Sequence, residues 1–176
     1  MPIIDDVLNQ DLPMHVRCNH ALEHATLHVL QEKGISTQLG GISDVGGFWI
    51  YGEVSTDIIF AAAQEALTRL AGGENELAIH PNCGTNIAVG SLAAGGLAWM
   101  AMLGTRGRLS RKLRRLPIAV LLGLIGYQIA RPLGPKLQEQ ITTNADVKGL
   151  KILEVIKHDI FDRTVHRVST RLVRQS

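Results

Sequence analysis

Three histidines and one glutamate fall within nine consecutive residues, HALEHATLH, at positions 20–28. Residues four apart lie one above the other on a helix, so His20 and His24 would hold their imidazoles about 6 Å apart along the axis. Two imidazoles at that separation can share one zinc ion. His28 would lie about 12 Å from His20 along the axis, which is too far to share the ion. His28 is therefore a supporting or structural residue.

Glu23 directly precedes the second histidine, which gives the H-x-x-E-H arrangement of inverted zinc enzymes. In such enzymes the glutamate activates a zinc-bound water and shuttles its proton. The spacing therefore makes Glu23 the candidate catalytic base. Because the motif is short, the alternative is a helix whose histidines make ordinary hydrogen bonds.

A metal ion needs at least a third protein ligand, and HPNCGTN at 80–86 offers His80 and Cys83. Its proline and glycine fit a tight turn that would aim both side chains. Imidazole and thiolate are both normal zinc ligands. Two other roles remain open for Cys83: a nucleophile with a histidine as its base, or a small buried residue.

The charge is unevenly distributed along the 176 residues, although the formal net charge is only +2. Residues 1–87 carry three basic and eleven acidic residues, and residues 106–115 carry six basic residues and no acid. The basic residues flank apolar segments with no interleaved aromatic residues, so nucleic acid is not a predicted partner. Two cysteines are too few for a disulfide framework, and no secretory signal is recognisable, which indicates a reducing compartment.

The elements that must position these residues predict an α+β fold. A helix is expected over 13–33, with an apolar stripe of Cys18, Leu22, Ala25 and Val29 roughly opposite His20 and His24. It is followed by a glycine-rich β-hairpin in 36–54, a helix over 56–71 and a short strand, ELAIH, at 76–80.

Two apolar stretches, residues 85–104 and 116–130, predict a helical hairpin that enters a membrane. Small residues in the first stretch would let another helix approach closely (Gly90, Ala93, Ala94, Gly95 and Gly96). The alternative is a very apolar soluble hairpin. The positive-inside rule places the basic loop, 106–115, in the cytoplasm, and two full spans would then put both termini outside. The lack of a secretion signal and the basic C-terminal tail favour cytoplasmic termini instead. A shallow or re-entrant hairpin would reconcile the two.

Three parts are therefore predicted: a soluble α+β metal-site domain at 1–84, the apolar hairpin at 85–130 with its basic loop, and a basic helical tail at 131–176. The helix of the tail is expected to pack back on the first domain.

The order of three segments, H-x-x-E-H-A-T-L-H, HPNCGTN and LQEQITTNADVKGLKILEV, resembles the YqhQ-like family of bacterial membrane proteins, which are regarded as predicted metal-dependent enzymes. The likeness covers most of the chain in patches, and this sequence has Ala25 where the family has lysine. The resemblance implies a metal site beside a membrane and names no substrate. The positions that match include His20, Glu23, His24, Thr26, His80, Cys83, Gln138, Thr142, Thr143 and Glu154.

These observations predict a membrane-associated, zinc-dependent hydrolase, most simply a peptidase. The predicted ligands are His20 and His24 with His80 or Cys83, and Glu23 is the base. The predicted supporting residues are His28, Thr26 and Glu154, since a carboxylate often orients a ligand histidine. The alternatives are a membrane scaffold or assembly protein with a structural metal, and a thiol enzyme that uses Cys83. The expected partners are membrane lipid and either a membrane protein or a peptide substrate, and a homo-oligomer is left open.

Overall fold

The computed structural model describes residues 6–35, 39–105, 109–160 and 163–173. Helices and strands are mixed, which confirms the predicted α+β class. The elements in chain order are α1 (Asp11–Glu32), β1 (Gly40–Asp44), β2 (Gly47–Tyr51), α2 (Thr56–Ala71), a 3-10 helix (Asn75–Ala78), α3 (Gly84–Met102), α4 (Leu109–Ala130), α5 (Leu133–Leu137), a π-helical turn (Gln138–Thr142), β3 (Leu150–Ile160) and β4 (Arg163–Leu172). They form two compact units, Met1–His80 with Gln138–Ser176, and Pro81–Leu137.

The first unit contains one four-stranded antiparallel sheet with the strand order β1-β2-β4-β3. The β1–β2 hairpin was predicted by its glycines, and Asp44 pairs with Gly47 across its turn. Gly47 has a φ of +140°, a conformation that favours glycine. Phe48 and Ile50 of β2 point into the core and are completely buried.

Helices α1 and α2 pack against each other and against this sheet. The predicted apolar stripe of α1 is confirmed: Cys18, Leu22, Ala25 and Val29 are all at most 1% exposed. Gly34, with a φ of +75°, ends α1, because Ile35 N–H then bonds back to the carbonyl of Leu30. Each fully buried aliphatic side chain contributes about 1.5–3 kcal/mol to the free energy of folding, so this stripe fixes which face α1 turns to the sheet.

The predicted strand at 76–80 is wrong, since Asn75–Ala78 forms a 3-10 helix. Its backbone bonds are local, from Leu77 N–H to the carbonyl of Glu74 and from Ile79 N–H to that of Glu76. Leu77 and Ala78 are buried by this turn. Because the hydrogen bonds of this single turn are local, its two apolar residues are buried without pairing to another strand.

The predicted C-terminal helix is also wrong, because residues 150–172 form the β3–β4 hairpin. The two strands are rich in the β-branched residues valine, isoleucine and threonine, which favour strands, and β4 gains β2 as a second partner. The tail was expected to return to the N-terminal part of the chain. It does so as two strands of the same sheet.

The second unit is a pair of long helices, α3 and α4, followed by the short α5. A Cβ at Gly126 would lie 2.7 Å from the carbonyl oxygen of Ala93, and Gly90 packs directly on Tyr127, so small residues do bring these helices together. The basic loop predicted at 106–115 is shorter than expected, because α4 already begins at Leu109. Residues 106–108 lie outside the described part of the chain.

Both long helices of the second unit are long and apolar enough to cross a membrane. In their most apolar 18-residue windows, only 6% of the α3 residues and 22% of the α4 residues are buried. Large apolar side chains such as Leu92 and Trp99 are 77% and 65% exposed. An apolar surface of this extent on a helix pair is typical of lipid contact.

Candidate functional site

Helix α1 places His20, His24 and His28 on one face, as the four-residue spacing predicted. The rings of His20 and His24 lie with their centroids 4.3 Å apart, tilted by 60°. His24 is 2% exposed, and His20 and His28 are half-buried. α1 therefore buries two different sides, one aliphatic against the sheet and one that carries imidazoles.

His80 joins this group although it is more than fifty residues away in the chain. Its ring centroid lies 5.6 Å from that of His24 and 4.9 Å from that of His28. The four rings thus form a continuous row in the order His20, His24, His80, His28. The structure brings the end of the 3-10 segment to the histidine face of α1, which no spacing in the sequence could establish.

Backbone carbonyls set the proton positions on the α1 histidines. Nδ1 of His20 lies 2.9 Å from the carbonyl oxygen of Thr142, and Nδ1 of His24 lies 2.7 Å from that of Ala78. A carbonyl oxygen only accepts, so both Nδ1 atoms carry the proton. In a ring held this way, Nε2 is the nitrogen that can coordinate a metal ion, which is how a metal-binding histidine is usually held.

His28 is held in the opposite sense, because its Nε2 donates to the carbonyl of Ile79 at 2.9 Å. Its free lone pair is therefore on Nδ1. The supporting role of His28 stays a prediction.

The side chain of Gln138 holds the backbone of His80 through two hydrogen bonds. Its Oε1 accepts from the backbone N–H of His80 at 2.9 Å, and its Nε2 donates to the His80 carbonyl at 3.2 Å. Burial, with smaller contributions from His28 and His24, lowers the pKa of His80 to about 4. The His80 ring is therefore neutral near pH 7, the form that can bind a metal ion.

Glu23 points its carboxylate toward strand β1. Ser43 donates its hydroxyl to Glu23 Oε2 at 2.5 Å. A Cβ at Gly41 would lie 2.2 Å from Glu23 Oε1, so only glycine leaves room for the carboxylate there. The side chain is 4% exposed. The candidate base is thus a buried carboxylate positioned by the sheet.

The other predicted supporting residues are placed differently. Thr26 donates its hydroxyl to the carbonyl of Leu22 at 2.7 Å, within its own helix. Glu154 lies exposed on β3, in register with Ser169. Orienting a buried histidine requires a buried partner, and the exposed position of Glu154 does not offer one.

The two cysteines have different surroundings. Cys83, in the second unit, is the N-cap of α3, and its sulfur accepts from the backbone N–H of Thr85 at 3.4 Å. Cys18 lies in the core of the first unit and donates to the carbonyl of Asp146. Burial raises the pKa of the Cys18 thiol to about 11, which keeps it protonated and unsuited to bind metal near neutral pH.

Sequence reasoning assigned no role to several of the residues that hold the site. Gln138 and Thr142 belong to the LQEQITT segment, whose resemblance to a family pattern was the only signal for them. Gly41 and Ser43 looked like hairpin residues. Ala78 and Thr142 act through their backbone carbonyl oxygens. Every residue has such a carbonyl, so the amino-acid sequence does not indicate which ones accept hydrogen bonds from the histidines.

Comparison with known proteins gives a family without an assigned activity. A family model described as a domain of unknown function, DUF6391, matches residues 15–155. An uncharacterized protein of Picosynechococcus sp. is 35% identical over 148 residues, which cover 74% of this chain and 66% of the relative, just under two thirds of its length. No solved structure gives a significant match. The resemblance to the YqhQ-like family stays a prediction.

Proposed function

We propose that this chain, which belongs to the DUF6391 family, a domain of unknown function, is a membrane-associated hydrolase that depends on a zinc ion bound by the histidines of α1. One observation carries the proposal. The Nδ1 protons of His20 and His24 are given to backbone carbonyls, and their rings lie 4.3 Å apart on one helix face, so Nε2 is in each ring the nitrogen that can coordinate a metal ion.

Cys83 is our proposed third ligand. Two imidazoles and a thiolate, from His20, His24 and Cys83, are by their chemistry a donor set suited to zinc. Cys83 follows His80 by three residues, so the covalent chain keeps their Cα atoms within about 11 Å. Mixed histidine and cysteine ligands favour zinc, and a site with only three protein ligands would be suited to catalysis. His80 is the alternative or additional ligand.

Glu23 would act as the general base in this proposal. A bound zinc ion would supply the acidity that water needs to lose a proton near neutral pH. Glu23 takes that proton on its carboxylate and returns it to the leaving group of the substrate. The hydroxyl of Ser43, which donates to Oε2, holds the carboxylate in one orientation. We propose that the substrate is a peptide and that the bond hydrolysed is a peptide bond.

The membrane location rests on the two long apolar helices of the second unit. We propose that they insert into lipid, with the first unit on the cytoplasmic side. We expect the full chain to stay in the membrane fraction after alkaline extraction. We also expect the first unit to be protected from protease that is added outside intact cells. Release of the chain into the soluble fraction would contradict it.

A structural metal site in a membrane scaffold is the second candidate. The observation that favours it is burial: His24 and His80 are 2% and 5% exposed, and Glu23 is 4% exposed and bonded to Ser43. A shell closed by His20, His24, His80 and Cys83 would leave no position for a substrate, as in structural zinc sites.

Metal analysis of the full chain, purified without a polyhistidine tag, tests both candidates. We expect one zinc per chain, loss of zinc in His24→Ala, and retention in His158→Ala, whose histidine is exposed on β3. Peptide hydrolysis that needs zinc and disappears in Glu23→Gln, with zinc retained, supports the enzyme. Retained zinc without any Glu23-dependent hydrolysis supports the scaffold. A wild-type chain without bound metal overturns both, and activity that is blocked by alkylation would then point to Cys83 as a nucleophile.

A further inference from the structure

Arg17 is a neighbour of His20 on the surface of α1, because residues three apart on a helix lie side by side. Its side chain reaches the segment that follows α5 in the chain. One guanidinium nitrogen, Nη2, donates to the carbonyl oxygen of Gln140 at 3.2 Å and to that of Thr143 at 3.1 Å. The Arg17 carbonyl accepts from the N–H of Asn144 at 3.0 Å. Arg17 therefore holds this segment through both its side chain and its backbone.

The carbonyl that fixes the His20 ring lies, in the chain, between the two carbonyls that Arg17 binds. Thr142 accepts the Nδ1 proton of His20 at 2.9 Å. Two neighbouring residues of α1 thus bind three carbonyls of the four consecutive residues 140–143. A shift of this backbone would move the acceptor away from His20.

The segment has a backbone that needs such support. Gln138–Thr142 is a π-helical turn, closed by a bond from the N–H of Thr143 to the carbonyl of Gln138 at 2.8 Å. π-Helical turns are rare and are frequent at functional sites. The last carbonyls of a helix have no partner within it, and Arg17 supplies the donor for two carbonyls at this end. Arginine suits this task, since its guanidinium stays charged and only donates.

The same turn also holds His80, through the two hydrogen bonds of the buried Gln138 side chain. One segment therefore positions the ring of His20 and the backbone of His80. Hydrogen bonds from a charged donor are roughly twice as strong as those between neutral groups. The two bonds from Arg17 are thus the strongest single anchor of the segment.

We propose that Arg17 is a positioning residue of the metal site. By anchoring the turn, it keeps the Thr142 carbonyl on Nδ1 of His20, so that Nε2 is the nitrogen left to coordinate the ion. The inference rests on the proposed metal-binding function of His20. Its structural part, the control of the His20 tautomer, can be measured without metal.

Nitrogen NMR of the full chain, with isotope-labelled histidines and in detergent micelles with chelator, tests the proposal. At slightly alkaline pH a free imidazole is neutral, and the nitrogen shifts show which ring atom carries the proton. Arg17→Met removes the donors and keeps an apolar side chain of similar length. We expect His20 to change from the Nδ1–H form to a mixture of tautomers. His24, whose acceptor is the carbonyl of Ala78, should not change. Arg17→Lys keeps a cationic donor and should largely restore the Nδ1–H form of His20.

Arg69→Met is the matched control in the same unit. The hydrogen bonds of Arg69 go to the carboxylates of Glu32 and Glu74, so its loss should leave the tautomer of His20 unchanged.

Thr143→Val loosens the same turn more gently, because it removes only the hydroxyl bond to the carbonyl of Gln138. A smaller change of the His20 tautomer in the same direction is expected. This variant keeps the proposal testable if Arg17→Met does not fold, which thermal unfolding shows.

Zinc binding gives a second readout. Loss of a group that orients a metal-binding histidine weakens metal affinity by about 10–100-fold, so Arg17→Met should bind zinc about tenfold more weakly. The proposal is overturned if His20 keeps its tautomer in folded Arg17→Met, or if His24 changes as much as His20. It is also overturned if Arg69→Met has the same effect. A wild-type chain that binds no zinc would instead refute the metal-binding function, whereas unchanged tautomers in a zinc-binding chain refute only the role of Arg17.

Discussion

Replacement of Gly41 by alanine is expected to displace the candidate catalytic carboxylate without altering any residue of the histidine row. A Cβ at Gly41 would lie 2.2 Å from Glu23 Oε1, 2.5 Å from Cδ and 2.7 Å from Cγ. Carbon–oxygen contacts in proteins are about 3.3–3.6 Å, so the carboxylate would have to move by about 1 Å. Because Glu23 is 4% exposed, it has no solvent-filled space to move into.

The cost follows from two overlapping effects. Inserting one methyl group into a packed site costs about 1–3 kcal/mol. Losing the bond from Ser43 to a charged group costs about 1.5–3 kcal/mol, and moving the carboxylate relieves part of the overlap. We therefore expect Gly41→Ala to lower the free energy of unfolding by about 3 kcal/mol. For a chain of this size that corresponds to a Tm about 6–12 °C lower.

Gly40→Ala provides a matched control one residue away in the same strand. Nothing lies within 4 Å of a Cβ at Gly40, and neither glycine has a positive φ, so the backbone tolerates alanine at both positions. Gly40→Ala should leave the Tm unchanged or raise it slightly, because alanine restricts the unfolded chain. Thermal unfolding of the full chain in detergent, followed by circular dichroism, measures both.

A second cycle isolates the contact with Glu23. In a Glu23→Ala background the overlapping atoms are absent, so Gly41→Ala should cost almost nothing. Equal Tm losses for Gly40→Ala and Gly41→Ala, or an undiminished loss in the Glu23→Ala background, would refute the reasoning that Gly41 exists to accommodate this carboxylate.

Three further outcomes are expected. Gln138→Ala removes both hydrogen bonds to the His80 backbone, so it should cost about 2 kcal/mol and speed hydrogen exchange at the His80 amide. Burial lowers the pKa of His80 to about 4, below its unfolded value of about 6.5, so protonation of His80 favours unfolding. The stability that comes from neutral His80 is therefore present above pH ~6.5. It is lost as the pH falls toward 4. With chelator present, His80→Gln should flatten the unfolding free energy across that interval, and an unchanged slope would contradict this. In the helix pair, Gly126→Ala should cost about 1–3 kcal/mol in thermal unfolding, because its Cβ meets the carbonyl oxygen of Ala93 at 2.7 Å, whereas Gly95→Ala, with nothing within 4 Å, should cost nothing.

Local periodicity was enough to predict α1, α2 and the first hairpin. The stripe from Cys18 to Val29 repeats at helical spacing, and Thr56–Ala71 forms the predicted helix from end to end. Both signals depend on residues within a few turns of each other. The C-terminal strands were missed because Leu150–Ile160 mixes apolar and charged residues in a way that fits either a helix or a strand. Pairing decides between them: Leu150–Ile160 pairs with β4, and β4 in turn pairs with β2, which lies about a hundred residues earlier in the chain.

The sequence by itself determined that His20 and His24 share one helix face beside Glu23, because a helix fixes the direction of side chains four residues apart. Only the tertiary structure decided that His80 joins these two histidines and that Glu23 contacts β1. It also decided that the carbonyls of Thr142 and Ala78 accept the Nδ1 protons of His20 and His24, respectively. These contacts join segments far apart in the chain. They are selected by burial and by the need to satisfy buried polar groups, which depend on the whole fold.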